Sequence, residues 1–505
     1  MATLVVNGRI HGGDATAMAV AGGLVTWLGA DDEGRARFPD ATVVDVAGGF
    51  VAPAFVDAHV HATSSGLLLA GLNLSGCTSL AQCLAALREF VAGGTTGVVW
   101  GHGWDETAWP EGRPPTRAEV DAAVGDVPVY LSRVDVHSAL VSTALVALAP
   151  DARGDVGWSA DGPISQHAHH HVRGAARAAL TPADRRTAQS AFLADAASLG
   201  VAAVHECAGP DISGTDDLAE LLALAAAGGT PAVVGYWGER TDPALAARLG
   251  ARGLAGDLFA DGAVGSRTAA LGEPYTDDPG NHGAAYLSAD EIAEHVITCT
   301  RAGVQAGFHV IGDAAVAALV AGFAAAEQVV GRSALAAARH RAEHLEMVTA
   351  DQAARLGGWG VVASAQPAFD AAWGGPDGMY ARRLGPVRGV ALNPFAALAG
   401  HGVVLAFGSD SPVTPVDPWG GVRAAVHHRT PGSGITAAAA FAAHTAGGWH
   451  AAGAADPGTL TVGAPATYAV WETGDLVEGL PDLDERPVCV RTVLRGETIY
   501  DREGH

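Results

Sequence analysis

Hydrophobic and polar positions change their rhythm twice along the chain. Over the first fifty residues, short apolar stretches at Thr3 to Val6, Thr16 to Val20, Leu24 to Leu28 and Thr42 to Val46 are separated by polar and glycine punctuation, which predicts strands joined by turns. The last fifty residues return to that style at Thr467 to Trp471, Val488 to Leu494 and Glu497 to Tyr500. Between the two ends, apolar runs of strand length alternate with stretches of helical period, among them Pro182 to Leu199, Asp290 to Ala302, Ala314 to Val330 and Thr349 to Leu356. Strand candidates end near His59, Gly103, Arg133, Glu206, Trp237, Ala260, Val310, Leu345, Gln366 and Ser409.

Repeated strand–helix units over roughly 250 residues or more predict an α/β fold of the (β/α)8 TIM-like barrel type. Ten strand candidates exceed the eight that a barrel needs, so the runs near Gly103 and Arg133 are assigned to an insertion after the first barrel strand, residues 63–180. The two strand-rich ends predict one small β-sandwich domain from residues 1–50 and 458–505, flanking a barrel over 51–457. A doubly wound sheet is the alternative, but no Gly-x-Gly-x-x-Gly follows an early strand.

Composition narrows the partners. The 505 residues carry a formal net charge of −24, which argues against nucleic acid or an anionic membrane as partner. No run of about eighteen uninterrupted apolar residues occurs and no secretory signal is visible, so the expected location is cytoplasmic. Cys77, Cys83, Cys207, Cys299 and Cys489 are scattered without a C-x-x-C pair, as expected of reduced thiols. All 30 basic residues counted as Lys plus Arg are arginine. No Schiff base, catalytic lysine or carbamylated lysine is therefore available.

The chemistry-bearing residues gather at strand ends, where barrel enzymes carry their chemistry. His59 and His61 close the first strand two residues apart, so both imidazoles leave on one face. His309 ends a later strand, His344 the next, and Asp410 the last. Four histidines and one aspartate converging from four strands predict a divalent metal site, because the shared location has no bland explanation. Asp313 reads as the cap of the helix that follows it. The His340 and Glu343-His344 spacing also matches the H-x-x-E-H zinc-peptidase motif, which requires a helix that this segment does not offer. The run His167, His169, His170, His171 reads as a solvated loop, and His427-His428 as a helix surface.

Several segments together resemble the amidohydrolase superfamily, and within it the YtcJ-like hydrolases that include N-substituted formamide deformylases. They are Phe55-Val56-Asp57-Ala58-His59-Val60-His61, Gly101-His102-Gly103-Trp104, Phe259 to Ala269, His309-Val310-Ile311-Gly312-Asp313, His340-Arg341-Ala342-Glu343-His344 and Phe407-Gly408-Ser409-Asp410-Ser411-Pro412. The resemblance implies a barrel with a terminal β-sandwich and metal ligands at His59, His61, His309, His344 and Asp410. Two departures stand out. Pro53-Ala54-Phe55 replaces the family's Pro-Gly-Phe, and Gly256-Asp257-Leu258-Phe259 stands where the family carries a carbamylated lysine bridging two metals.

Strand parity puts Asp257, Phe259 and Asp261 on one face, yet the Asp257 side chain is much shorter than a carbamylated lysine. The expectation is one ion rather than two, held by His59, His61, His309 and Asp410. His344 is then a second-site ligand or proton-handling group; Asp257 could bridge two ions as a plain carboxylate only if the backbone moves, and otherwise stands beside the metal or as a remnant of a vacant site. Zinc is the first expectation, with iron or manganese suited to the same ligands.

The expected reaction is hydrolysis of a C–N bond in a small amide-type substrate, an N-substituted formamide or another N-acyl or cyclic amide. Asp410 serves as general base and then acid, with His344 assisting. Arg267 is a candidate for binding a substrate carboxylate, or else fixes its loop by an ion pair, and Trp104 and His137 are candidates for lining the pocket. A homodimer is the expected assembly. The rival readings are a mononuclear deaminase of a heterocyclic substrate and a catalytically impaired regulatory homologue.

Overall fold

The computed structural model describes residues 2–94 and 97–502. Its centre is a parallel sheet of eight strands, β1 (Phe55–Val60), β2 (Val201–Ala208), β3 (Ala232–Trp237), β4 (Gly253–Leu254), β5 (Gln305–Val310), β6 (Arg341–His344), β7 (Val362–Ala365) and β8 (Val404–Phe407), hydrogen-bonded in chain order. All residues of β1, β2, β5, β6 and β7 are buried, as a sheet covered on both faces requires. β1 and β8 close the ring just past their ends. Asp410 N–H donates to the His59 carbonyl at 2.8 Å and His61 N–H to the Ser411 carbonyl at 2.9 Å. The ligand-bearing ends of the first and last strands are thus sewn together.

One strand departs from the sequence reading. The run expected to continue to Ala260 stops at Leu254, because Gly256 takes a left-handed φ of 78°. A Cβ there would stand 3.0 Å from Cβ of Cys207 in β2, so glycine suits both the turn and the close approach. The chain rejoins the sheet at Leu258 to Ala260, where His309 N–H donates to the Leu258 carbonyl and Ala260 N–H to the His309 carbonyl, both at 2.9 Å. The break steps Asp257 inward, toward the barrel axis.

Val99–Trp104 and Val129–Arg133 lie outside the barrel, in a five-stranded sheet with Leu72–Asn73, Ser138–Val141 and Ile164–Ser165. The helix Gln166–Ala178 follows that sheet and lies over the barrel mouth. The chain ends form two further sheets, one of Thr3–Val6, Ala17–Ala21, Leu24–Gly29 and Thr42–Asp45, the other joining Arg9–Ile10 and Phe50–Pro53 to Tyr468–Glu472, Val488–Leu494 and Glu497–Asp501. Val5, Met18, Val25, Val51, Tyr468 and Val493 share one apolar cluster between these sheets. Trp471 ties the second sheet to the barrel, its ring 5.7 Å from Phe55.

Among the described residues one helix, Asp313–Val330, is long and apolar enough to cross a membrane by length and composition. It packs Val316, Leu319, Val320 and Phe323 into the barrel core. Asp313 is its first residue rather than its cap, and its carboxylate accepts from Gly272 N–H at 3.0 Å.

Candidate active site

β1 delivers His59 and His61 to the same interior point, as the two-residue side-chain period dictates. Asp57, on that same parity, accepts from Ser409 N–H at 2.9 Å and from His59 N–H at 3.3 Å, which fixes the strand end against β8. Asp410 arrives from β8 with φ 55°, and His344 from β6 with φ 69°. Left-handed backbone in residues other than glycine is strained, and two functional candidates adopt it here.

Around Asp257 these side chains form a cage. His59 Nε2 lies 3.5 Å from Asp257 Oδ1 and 3.4 Å from Asp410 Oδ1, while His61 Nε2 lies 3.3 Å from Asp257 Oδ2 and 3.1 Å from Asp410 Oδ1. At the oxygen that His59 faces, His309 Nδ1 stands 3.5 Å and His344 Nε2 4.0 Å from Asp257 Oδ1. Five of these atoms, His59 Nε2, Asp257 Oδ1, His309 Nδ1, His344 Nε2 and Asp410 Oδ1, are fully buried and have no hydrogen-bond partner. So many orphaned donors and acceptors would be costly unless a cation satisfied them. Donors at ~2.0–2.2 Å from one ion in a tetrahedron stand roughly 3.3–3.6 Å apart, close to the separations found. The residues therefore fit a divalent metal.

Asp257 differs from its sequence-based expectation. Its short side chain reaches all four imidazoles because the break at Gly256 carries the backbone inward. His309 also changes place, since it groups with His344 and Asp257 rather than with the β1 pair. Asp261 does not face the cage. Its carboxylate accepts from the N–H groups of Ala270, Ile311 and Gly312 at 2.7–3.0 Å and locks the loop after β4.

The two carboxylates are held ionised, as a cation requires. Burial pushes the Asp257 and Asp410 carboxyls up, but the facing imidazoles, His59 first, outweigh it and hold both below the ordinary range. Burial works the other way on His344, which falls to about 4 and stays neutral, with His309 adding to the effect. His61 is pushed up to about 9, because Asp257 and Asp410 together overcome its burial.

The outer support was not legible as function in the sequence. His59 Nδ1 donates to Glu343 Oε2 at 3.0 Å, and Arg341 grips both oxygens of Glu343 at 2.8 and 2.9 Å. Arg341 also donates to His205 Nδ1 at 2.8 Å and to the Ala58 carbonyl at 2.7 Å, with the Tyr236 ring 4.2 Å from its guanidinium carbon. His344 Nδ1 donates to Gln366 Oε1 at 2.8 Å. These bonds fix each ring's tautomer and leave Nε2 free to bind a metal. The segment His340 to His344 is thus a strand rather than a peptidase helix, and its alternation carried the signal. Arg341 and Glu343 face in, while His340 faces out to Thr300 and Ala306.

Of the three candidate substrate contacts, one reaches the site. His137 lines the mouth with its ring centroid 5.0 Å from that of His309. Trp104 does not, because its indole N–H donates to the Leu131 carbonyl inside the core of the insertion. Arg267 is turned away as well and pairs with Asp277 at 2.9 Å, an ion pair that fixes its loop. The histidine run is not a solvated loop. It forms the first turns of the helix Gln166–Ala178, where His169 Nε2 meets the Tyr130 hydroxyl at 2.8 Å and His170 meets Asp211 at 3.3 Å. His428 is not a surface residue either, for its side chain is 1% exposed and bonds the Asn393 carbonyl.

A family model described as "Amidohydrolase family" matches residues 42–500, so the chain belongs to the amidohydrolase family and is a metal-dependent hydrolase acting on carbon–nitrogen bonds. It is similar to the putative amidohydrolase YtcJ of Bacillus subtilis, 26% identical over 74% of this chain and 72% of that protein. It is also similar to the protein LONG AFTER FAR-RED 3 of Arabidopsis thaliana, 26% identical over 75% of this chain and 69% of that protein. An uncharacterized metal-dependent hydrolase from Pyrococcus furiosus superimposes with a TM-score of 0.73 at 27% identity, covering 93% of this chain and 98% of that one.

Proposed function

We propose that this protein hydrolyses small amides, N-substituted formamides or other N-acyl or cyclic amides, at a divalent metal centre, zinc being the first expectation. The observation that carries the reading is the set of buried ligand atoms around Asp257 that have no hydrogen-bond partner. His59, His61, Asp257 and Asp410 would hold one ion, and His309 and His344 would share Asp257 in holding a second, weaker one. When bound, a divalent cation lowers the pKa of water toward ~7 and polarises a carbonyl oxygen.

The chain's own residues then handle the protons. Asp410, ionised by its imidazole neighbours, accepts a proton from the attacking water as the new C–O bond forms. The same carboxyl returns it to the leaving nitrogen as the C–N bond breaks. The strained backbone at Asp410, tied to His59 by its N–H, keeps the carboxylate from turning away. His137, half-buried and held neutral by desolvation, borders the mouth where the acyl group enters. The paired terminal sheets are read as the small β-sandwich that accompanies the barrel.

The test is a screen of N-formyl, N-acyl and cyclic amides with metal-reconstituted protein, comparing wild type with Asp410→Asn and His59→Ala. Both variants should stay folded and lose turnover at least a thousandfold, on the order expected for a lost metal-linked proton carrier. Undiminished turnover in both would refute the scheme.

A further inference from the structure

Two arginines of the insertion lie at the barrel mouth with no ion pair of their own among the described residues. Arg173 and Arg177 stand four apart on the helix Gln166–Ala178 and so share one face. Arg173 is 5% exposed, its Nε has no hydrogen-bond partner, and it lines the small cavity that also contains His61, His137, Asp257 and Asp410. One turn further on, Arg177 lines an adjoining cavity of about 250 Å³, together with His61, Leu67, Trp100 and Ile212. His61 and Ile212 border both cavities, which places them side by side.

Most of the nearby carboxylates are already engaged. Asp211 pairs with His170 at 3.3 Å, and Asp217 accepts from Thr63 and Gln189, each at 2.7 Å. Glu206 accepts from Ala62 N–H at 2.7 Å, and the neighbouring Arg185 takes Glu220 at 2.8 Å. Among the described residues neither Arg173 nor Arg177 has an ion pair or a side-chain hydrogen bond. Burial, and then the charge of Arg173, pull Arg177 down to about 9, outweighing the attraction of Tyr130, Asp217 and Asp211. Keeping the buried Arg173 guanidinium unpaired is expensive, and a planar bidentate anion is the partner that its donor fork matches.

We propose that Arg173 and Arg177 bind a carboxylate on the substrate, so that the preferred substrates are amides whose nitrogen substituent carries a carboxylate into the 250 Å³ cavity. This rests on the amide-hydrolase reading above. Glu206, Asp216 and Asp217 also border that cavity, and their charge favours a monoanion over a dianionic phosphate. Leu67, Trp100, Leu180 and Ile212 give the substituent an apolar wall. The arginines thereby position the carbonyl end beside Asp257 and Asp410 without touching the reacting atoms.

Matched pairs that differ only in charge provide the test. Titration calorimetry of the metal-loaded protein compares N-acetylglycine with N-acetylglycinamide, and turnover compares N-formylglycine with N-formylglycinamide. Wild type should bind the acid at least tenfold more tightly and favour it in kcat/KM by roughly tenfold to a hundredfold, the range for hydrogen bonds to charged groups. Arg173→Gln and Arg177→Gln should each bring the acid-to-amide ratio toward one, and Arg173→Lys should restore part of it. Equal affinity for acid and amide in wild type would overturn the inference even if amides are cleaved. An acid preference with no amide turnover would uphold it and sink the hydrolase reading instead. A ratio unchanged in both glutamine variants, with circular dichroism confirming their fold, would also overturn it.

Discussion

His59 Nε2 and Asp257 Oδ1 face each other at 3.5 Å inside the barrel, both buried and neither hydrogen-bonded. Asp257 stands where relatives are expected to carry a modified lysine, and its carboxylate is shared by both histidine pairs. Asp257→Asn preserves shape and removes the charge that both pairs use. Its metal affinity should fall roughly a hundredfold or more, read by competition with a chelator, while its far-ultraviolet circular dichroism stays that of wild type. Wild-type affinity in this variant would remove Asp257 from the centre.

The Glu343 and Arg341 pair acts on the metal through His59. Glu343→Gln keeps a hydrogen-bond acceptor for the His59 Nδ1 proton but loses the charge that holds it, and weakens the grip of Arg341. Metal affinity should drop about 10- to 100-fold, the usual cost of losing such an outer partner. Chelator competition checks it, and an unchanged constant would make the pair purely structural.

Gly256 sets the position of Asp257. Gly256→Ala places a Cβ at φ 78° and 3.0 Å from Cys207, for about 1–3 kcal/mol of lost stability. Because relief of that strain moves the next residue, turnover should fall more steeply than stability does. Thermal melts and kcat on the same preparation decide this; a stability loss with wild-type kcat would contradict it.

Acid should unfold the protein partly through histidines far from the metal. Burial lowers His340 to about 3 and His295 to about 4. His340 Nδ1 accepts from Ala306 N–H at 2.9 Å, a bond that only the neutral ring can make. Both folded-state values lie below the unfolded value near 6.5, so the unfolded chain binds more protons. Their contribution is complete above about pH 6.5 and is lost as pH falls toward 4 and 3. At pH 5 the loss is about 1–2 kcal/mol for each. Denaturant melts between pH 7 and 5 should show the slope, and His340→Gln should flatten it; an identical slope in the variant would contradict the assignment.

Much of this was readable in the sequence because a barrel strand announces itself by burial on both faces and its chemistry sits at its end. The convergence of His59, His61, His309, His344 and Asp410 was read that way. Asp257 was harder, since its reach depends on the break at Gly256, and a single glycine does not announce a broken strand in advance. Trp104 and Arg267 misled because residue type says what a side chain could bind but not which way its loop turns. Arg341 and Glu343 were not legible as function, although an alternating charged pair within a buried strand is a pattern that a solvent face would not carry. Arg173 left no such trace, because only the packing of the insertion helix over the mouth brings it to the site.

The most direct measurement of the central claim is the metal content of purified protein by elemental analysis, made on wild type and on a His59→Ala, Asp257→Ala double variant. The account predicts at least one tightly held equivalent of divalent metal per wild-type chain, a second bound only when metal is supplied in excess, and almost none in the double variant. Equal metal content in the two proteins, or a wild type that takes up no divalent ion at neutral pH, would contradict it.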